Sequence, residues 1–192
     1  MPLNNMGANH IGAQGGTFEP QRQSNALLYI IGLNTITTGA GTGTGSKDDI
    51  LTLSLASFPL PKVTMSPIEQ GYLNEKRKFA GRPTFDDLAL VFNDTVSSGS
   101  GIGALLQKWY YSVYNPETGQ LGFAANYKKQ GLIKLYGPNG TLDREIQLVG
   151  CFPSALDLGE ADMMGEDMVR ITMTLTIDKW IPRTGLNPNT PA

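Results

Sequence analysis

The residues able to do covalent chemistry are few, and their spacing does not form a catalytic site. His10 is the single histidine and Cys151 the single cysteine of the sequence. His10 lies in a Gly- and Asn-rich stretch that is too poor in apolar residues to hold a general base in place. Cys151 stands in an apolar run and is interpreted as a small buried hydrophobe. We therefore predict that the protein is not an enzyme and has no catalytic residues.

Two glycine-rich stretches have the letters of phosphate-binding loops without the surroundings that such loops need. Residues 99–104, GSGIGA, fit G-x-G-x-x-A at the start of a predicted helix. The neighbouring strands are predicted to be antiparallel and form no strand–helix–strand unit, so a flexible linker is the favoured interpretation. In GTGTGSKD the serine precedes the lysine, which is not the P-loop order. No cofactor is predicted.

Charged residues are concentrated in two stretches of opposite sign. The acidic stretch contains Asp157, Glu160, Asp162, Glu166 and Asp167. Its spacing does not match an EF-hand loop, so no metal site is predicted and the stretch is interpreted as a loop facing solvent or a partner. The basic stretch contains Lys76, Arg77, Lys78 and Arg82. It is predicted to be a polar loop within LNEKRKFAGRP.

The composition indicates a domain with many turns. Glycine (23) and proline (12) together approach a fifth of the 192 residues, which favours short strands over long helices. The formal net charge of -2 argues against a nucleic-acid binder, which needs clustered basic side chains. We find no signal-peptide pattern and no apolar stretch of about 18 residues, so export and membrane anchoring are not expected. The protein is therefore expected to be made and assembled in a cytoplasm.

Hydrophobic patterning predicts a mainly β (α+β) fold. Strands are predicted in ALLYIIGL, ILTLSLASF, VTMSPIEQGY and TFDDLALVFND, and in a hairpin of KKQGLIKLYG with LDREIQLVGCF. Helical spacing from Ile102 to Val113 predicts the one helix. The predicted domain covers residues 25–180, between a flexible N-terminal arm (1–24) and a flexible C-terminal tail (181–192). A Gly/Thr loop is predicted at 38–46.

The last predicted strand, MVRITMTLTIDKW, alternates most regularly. Its apolar face contains Ile171, Met173, Leu175 and Ile177, and its polar face contains Thr172, Thr174, Thr176 and Asp178. A period of two this regular means that one face is packed and the other is wet. The apolar face is expected to pack on Leu105, Leu106 and Trp109 of the helix.

Several short blocks, taken in order, carry a family resemblance. They are KFAGRPTFDDL at 78–88, FND at 92–94, KW at 108–109, YKK at 127–129 and LTIDKW at 175–180. Together they resemble the tail tube protein of contractile-tailed bacteriophages over about residues 25–180. The resemblance implies two antiparallel sheets that form a sandwich or barrel with one flanking helix. It also implies a structural virion protein whose hexameric rings stack into a tube inside a contractile sheath.

The resemblance also implies the partners. These are other copies of the chain, the tail sheath protein, baseplate and tail terminator proteins, the tape measure protein, and DNA that passes through the lumen without specific binding. Related rings occur in type VI secretion and in extracellular contractile injection systems. A tube that carries protein effectors is therefore one alternative. A β-sandwich binding module, with Trp109, Tyr110 and Tyr111 as its ligand platform, is another.

Two hypotheses about surfaces follow. A channel lined with basic residues would bind phosphate and slow DNA, so the uncharged or acidic face of Thr172, Thr174, Thr176 and Asp178 is expected to line the lumen. The opposite assignment, with the threonines facing a sheath, stays open because the sequence gives the two faces but not their direction. The basic stretch and the acidic stretch are expected to meet between stacked rings, because opposite charges set the register of an interface.

Overall fold

The computed structural model describes residues 21–33, 47–95, 101–137, 140–164 and 166–183. His10, residues 1–20 of the predicted arm, the Gly/Thr loop at 38–46 and residues 184–192 of the predicted tail lie outside them. The strands are β1 (Ala26–Ile31), β2 (Leu55–Ser57), β3 (Val63–Tyr72), β4 (Glu75–Phe85), β5 (Leu88–Asn93), β6 (Tyr114–Asn115), β7 (Gln120–Leu121), β8 (Lys129–Tyr136), β9 (Leu142–Asp157), β10 (Arg170–Thr176) and β11 (Lys179–Pro182). The helices are α1 (Lys47–Ser54), α2 (Ile102–Val113) and α3 (Ala124–Tyr127).

The long strand β9 joins two halves of one curled antiparallel sheet. Among the described strands, the order is β1-β8-β9-β10-β5-β2, and β11 also pairs with β9. β11 pairs with residues 146–149 of β9, whereas β10 pairs with residues 152–157. Gly150 lies between these two stretches with φ +70°, a conformation that glycine adopts without steric cost. The predicted mainly β fold with antiparallel sheets and a flanking helix is confirmed, and the two predicted sheets share β9.

Helix α2 covers one face of this sheet. Its residues Leu105, Leu106 and Trp109 belong to the same buried cluster as Ile171 and Met173 of β10. Burial of large apolar side chains on both sides of the contact is the main stabilising contribution to such a layer. The predicted helix and the predicted packing of the apolar face of β10 are confirmed.

The prediction of a strand in ILTLSLASF is wrong for most of its length. Residues 47–54 form α1, and only Leu55–Ser57 extends as β2. A strand would bury Leu51, Leu53 and Leu55 on one face, whereas Leu51 is buried and Leu53 is 85% exposed. The helix instead buries Leu51 and Ser54, which are three residues apart and share one helical face.

Three further sequence predictions need correction. The predicted charged loop in LNEKRKFAGRP is strand β4, which pairs with β3 from Glu75 to Phe85. The prediction of a single helix is wrong, because α1 and α3 are also present. The last predicted strand is broken after Thr176, and the chain resumes as β11 at Lys179. The predicted pairing of β8 with β9 is confirmed.

The sheet continues past residue 180. β11 pairs with β9 as far as Pro182, and the backbone N–H of Arg183 donates to Glu145 O at 2.8 Å. The guanidinium Nε of Arg183 also donates to Gln147 Oε1 at 2.9 Å. Within the described ranges, the helices lack the length and apolar character needed to cross a membrane.

Candidate assembly surfaces

The polar face of β10 lies opposite helix α2, on the other side of the sheet. Thr172, Thr174 and Thr176 are half-buried there, alternating with the buried apolar residues of the strand. Thr174 lies between Ala89 of β5 and Ala155 of β9. Short side chains of this kind make a smooth, uncharged stretch, while Arg170 at the start of β10 and Asp157 opposite Thr172 add charges at its border. The three threonines thus share a face, as the sequence predicts.

Asp178, the fourth residue of the predicted channel face, has a different setting. It follows the end of β10, and its backbone N–H donates to Val149 O at 3.1 Å. Its two carboxylate oxygens accept hydrogen bonds from Lys128 Nζ at 2.8 and 2.7 Å. The backbone of Gly150 approaches so closely that a Cβ there would overlap the Asp178 carboxylate. Asp178 therefore belongs to the junction between β10 and β11, with its charge matched by a lysine.

The aromatic residues considered as a ligand platform are divided between core and surface. Trp109 is fully buried, and its Nε1 donates to Tyr127 O at 2.9 Å. The Tyr127 ring meets Phe152 edge-on, with 5.5 Å between ring centroids. Tyr110 and Tyr111 contact each other edge-on at 6.4 Å, and Tyr111 is exposed. Because Trp109 is in the core, the three residues do not present one open surface.

The hairpin of β3 and β4 has one apolar face. Among the described strands, β3 and β4 pair only with each other. Ile68 and Phe79 are direct cross-strand partners, 59% and 53% exposed. Tyr72 lies on the same side of β3 as Ile68, and the Arg77 guanidinium stacks 4.7 Å from the centre of its ring. We call Ile68, Tyr72, Arg77 and Phe79 the apolar face of the hairpin.

The opposite face of the hairpin is charged and largely neutralised. The Glu69 carboxylate forms ion pairs with two lysines of β4. Its oxygens lie 3.5 Å from Lys76 Nζ and 3.6 Å from Lys78 Nζ. The structure therefore separates the predicted basic set by strand alternation. Lys76 and Lys78 lie on the charged face, Arg77 lies on the apolar face, and Arg82 lies beside the register shift near the base.

The acidic stretch forms the connection between β9 and β10, apart from Asp157, the last residue of β9. The carboxylate of Asp157 accepts the backbone N–H of Gly159 at 3.0 Å, and that of Asp162 accepts the N–H of Met164 at 2.9 Å. Such Asx turns are a typical way for a loop to order its backbone. Met163 and Met164 are fully exposed at this point. The acidic residues Asp157, Glu160, Asp162, Glu166 and Asp167 are exposed as well.

The described residues offer little for chemistry. No group of three or more His, Cys, Asp or Glu side chains within them is arranged to hold a metal ion. Cys151 is buried, and burial raises the pKa of its thiol to about 12, so the reactive thiolate is suppressed at neutral pH.

Comparison with known proteins gives two relatives by sequence, although no family model matches the chain. The chain is 28% identical to tail tube protein gp19 of Enterobacteria phage T4 over 134 residues, which cover 67% of this chain and 80% of that protein. Over the same length and the same shares of both chains, it is 27% identical to tail tube protein gp19 of Enterobacteria phage T6.

Solved structures share the fold at lower identity. The tube-terminating cap of the anti-feeding prophage matches with a TM-score of 0.62 and 15% identity, covering 91% of this chain and 99% of that one. A chain of the PVC sheath–tube complex in the extended state matches with a TM-score of 0.60 and 18% identity, covering 87% and 93%. The chain is homologous to the tail tube protein gp19 of phages T4 and T6, as its resemblance to contractile-tail tube proteins predicts.

Proposed function

We propose that this chain is a structural, non-enzymatic subunit of a contractile phage tail tube. Its copies form hexameric rings, and the rings stack into the conduit for genome delivery. The observation that carries the proposal is the β3–β4 hairpin, which exposes Ile68, Tyr72 and Phe79 on one side and has no strand neighbour among the described residues. An isolated two-stranded hairpin is at best marginally stable in water, so its apolar face needs a second surface.

The hairpin supplies the contact to the next ring. Its Tyr72, Arg77 and Phe79 combine aromatic area with one cation, a composition enriched at the centres of protein interfaces. The surface that the hairpin contacts is assigned to the acidic stretch of a copy in the neighbouring ring. There Met163 and Met164 provide adaptable apolar contacts, and the exposed carboxylates match the basic side chains.

The charged residues set the register of this contact. Lys76 and Lys78 keep Glu69 as an internal partner, so their pairing with a neighbouring chain is weaker than their number implies. Arg77 stacks on Tyr72, on the face away from Glu69, and it is therefore the best placed of the basic residues to meet an acid of another chain. Arg82, with Asp157, Glu160, Asp162, Glu166 and Asp167, completes the set assigned to the contact between rings.

The channel is lined by the polar face of β10. Thr172, Thr174 and Thr176 give it a stretch without formal charge, Arg170 marks one end of this face, and Asp178 at the other end is neutralised by Lys128. DNA passes such a wall without releasing the counterions that would hold it there. In this arrangement helix α2 faces outward.

The outward side faces the remaining tail components. The fold recurs in a sheath–tube complex, in a sheath/tube terminator and in a baseplate of contractile injection systems. We accordingly assign this chain a tail sheath, a terminator and a baseplate as partners. A tape measure protein is assigned to the lumen. Assembly takes place in the host cytoplasm, and the mature location is the virion tail.

A tube of an extracellular injection system is the second candidate. It is favoured by the fold likeness, whose TM-scores reach 0.62 with the anti-feeding prophage cap. The phage tail is preferred because the two sequence relatives are both phage tail tube proteins.

The test is electron microscopy of purified protein with a variant in the apolar face of the hairpin. Wild-type protein is expected to form rings or tubes, and Ile68→Ser/Phe79→Ser is expected to lose stacked tubes. Leu53→Ser is the control, since Leu53 is an exposed apolar residue that lies on α1, outside the hairpin. A wild-type protein that stays monomeric at high concentration would contradict the proposed function, and tubes from the hairpin variant would contradict the assigned contact.

Charge reversal tests the register. Arg77→Glu/Lys78→Glu is expected to impair stacking, and adding Asp162→Lys/Glu166→Lys on the same chain is expected to restore it. Unaltered tubes after the first change, or no rescue by the second, would exclude this pairing.

A further inference from the structure

The tip of the β3–β4 hairpin has a leucine in a backbone conformation that suits glycine. Tyr72 and Glu75 are the last paired residues of the hairpin, so Leu73 and Asn74 form a two-residue loop. The favoured turns for such a loop require a positive φ at its first residue, where asparagine, aspartate or glycine is usual. Leu73 occupies that position with φ +54°. In the part of the chain that the structure describes, it is the one non-glycine residue with a positive φ.

Neither the backbone nor the packing of the single chain favours a leucine at this position. In the left-handed region the Cβ of an L-residue lies too close to the following carbonyl oxygen, a cost that glycine avoids. The Leu73 side chain is also 92% exposed, so it gains almost no contact with the described residues in return. Strained residues of this kind cluster at sites that bind other molecules. The turn therefore indicates that Leu73 has a role in binding.

Two methionines of the acidic stretch share this exposure. Among the large apolar side chains of the described ranges, only Met163 and Met164 are more exposed than Leu73. The Asp162 carboxylate accepts the N–H of Met164, which orders an Asx turn with Met163 at its centre. Because all three apolar side chains are exposed, they do not pack on each other within one chain. A contact between them joins two copies, and it removes apolar surface from water.

The charges around the two turns are opposite in sign. Strands β3 and β4 contain four basic and two acidic residues, and one of the acids, Glu69, is already paired with two lysines. Residues 158–169, which contain both methionines, include four acids and no basic residue. Two copies of the same turn would bring like charges together, whereas the hairpin tip and the acidic stretch attract each other. The charges thus favour the acidic stretch of a second copy as the partner of the tip.

We propose that Leu73 is the apolar anchor of the contact between rings and packs on Met163 and Met164 of a copy in the neighbouring ring. This inference rests on the proposed function, which supplies the contact and leaves the role of the hairpin tip open. The flexible thioether side chains adapt their shape to the branched leucine. The strained turn costs stability in the free subunit, and burial of Leu73 in the stacked tube offsets that cost.

Leu73→Asn separates backbone strain from binding, because asparagine tolerates the left-handed conformation and lacks the apolar side chain. In dispersed protein, hydrogen exchange of the hairpin amides is expected to slow or to stay unchanged. The protein concentration needed to form tubes is expected to rise by about tenfold or more, as the loss of one buried leucine contact implies. Leu73→Met keeps an apolar side chain and is the matched control, expected to assemble near the wild-type concentration.

Faster exchange throughout the hairpin of Leu73→Asn would overturn the proposal, because it would mean that Leu73 supports the fold of the free subunit. An unchanged concentration for tube formation would also overturn it.

Disulfide trapping tests the partner of Leu73. Chains with Leu73→Cys and chains with Met163→Cys, each also with Cys151→Ala, are mixed, assembled and mildly oxidised. A disulfide requires Cα atoms about 4.4–6.8 Å apart, so a product of doubled mass that contains both cysteines reports close approach of two chains. It is expected in tubes and not in the dispersed mixture. Leu53→Cys mixed with Met163→Cys is the control, and linking of Leu73→Cys no greater than this control would refute the assigned partner.

The proposed function and this inference fail in different experiments. Wild-type protein without tubes, or tubes from Ile68→Ser/Phe79→Ser, would contradict the contact that the hairpin is proposed to make. If that double variant lacks tubes and Leu73→Asn forms them at the wild-type concentration, the contact stands and Leu73 is not its anchor.

Discussion

Strand β10 and the β3–β4 hairpin are both β structure, yet they depend on different surroundings. β10 has a strand on each side and buries every second residue beneath helix α2. Within the described residues the hairpin has no further strand beside it and no helix over it, and every residue of β3 after Val63 is exposed. The first region is stabilised by the core of its own chain, whereas the second has no packed face within the described residues and would gain one through the proposed contact between rings. The proposed assembly surface and the core of the fold thus belong to separate sheets of one small domain.

Hydrogen exchange should show this difference most strongly. In dispersed protein, amides of β10 are expected to exchange at least about a thousandfold more slowly than those of the hairpin. Core amides exchange through global opening, which costs about 5 kcal/mol or more in a stable domain, whereas unsupported strands open locally. Assembled tubes should then protect the hairpin. Equal protection of both regions in the dispersed protein would remove the contrast.

Trp109→Ala should destabilise the region around β10 by about 3–5 kcal/mol, the usual cost of truncating a large buried aromatic residue. The change also leaves Tyr127 O without its 2.9 Å donor. Tyr111→Ala on the exposed side of the same helix is the matched control, expected to stay within about 0.5 kcal/mol. Denaturant unfolding of both variants measures the difference. Similar losses would mean that α2 is not anchored through Trp109.

Gly150→Ala should cost about 1–3 kcal/mol through a left-handed conformation alone, and more because the new methyl displaces Asp178 from Lys128. Gly119→Ala separates these two causes, since Gly119 has φ +68° with nothing within 4 Å of an added Cβ. The excess of Gly150→Ala over Gly119→Ala in the free energy of unfolding measures the clash. No excess would show that the junction of β10 and β11 adapts freely.

The same contrast explains which parts of the fold were predictable from the sequence. β10 and α2 were predicted because their apolar spacing and their burial coincide. Strand β4 was missed because it buries almost nothing, so its sequence has no inward face to reveal. Helix α1 was missed because Leu51, Leu53 and Leu55 also fit a strand, and only the packed chain shows that Leu53 points to solvent.

The candidate surfaces were predictable to a similar degree. The threonine face was found because it alternates with core residues. The separation of the basic residues onto two faces could not be predicted, because their stretch was interpreted as a loop. Arg77 and Lys78 lie on opposite faces because they are neighbours in strand β4. Likewise, the ion pair of Asp178 with Lys128 joins positions 50 residues apart, which sequence spacing does not reveal.

The smallest expected effect on stability, and a sharp one on function, comes from Thr174→Lys/Thr176→Lys. Both threonines are half-buried opposite the core, so long side chains can extend away from the sheet and unfolding should change by about 0.5 kcal/mol or less per site. Tubes should still form, because the hairpin is untouched. If this face lines the channel, six subunits per ring place lysines along the path of DNA, where each ammonium attracts phosphate and slows passage. Thr174→Ser/Thr176→Ser is the neutral control. The measurement is the kinetics of genome ejection in an infectivity assay. Slowed delivery with intact tubes would support the proposal that the threonine face lines the channel, and normal delivery would place the threonines on another surface.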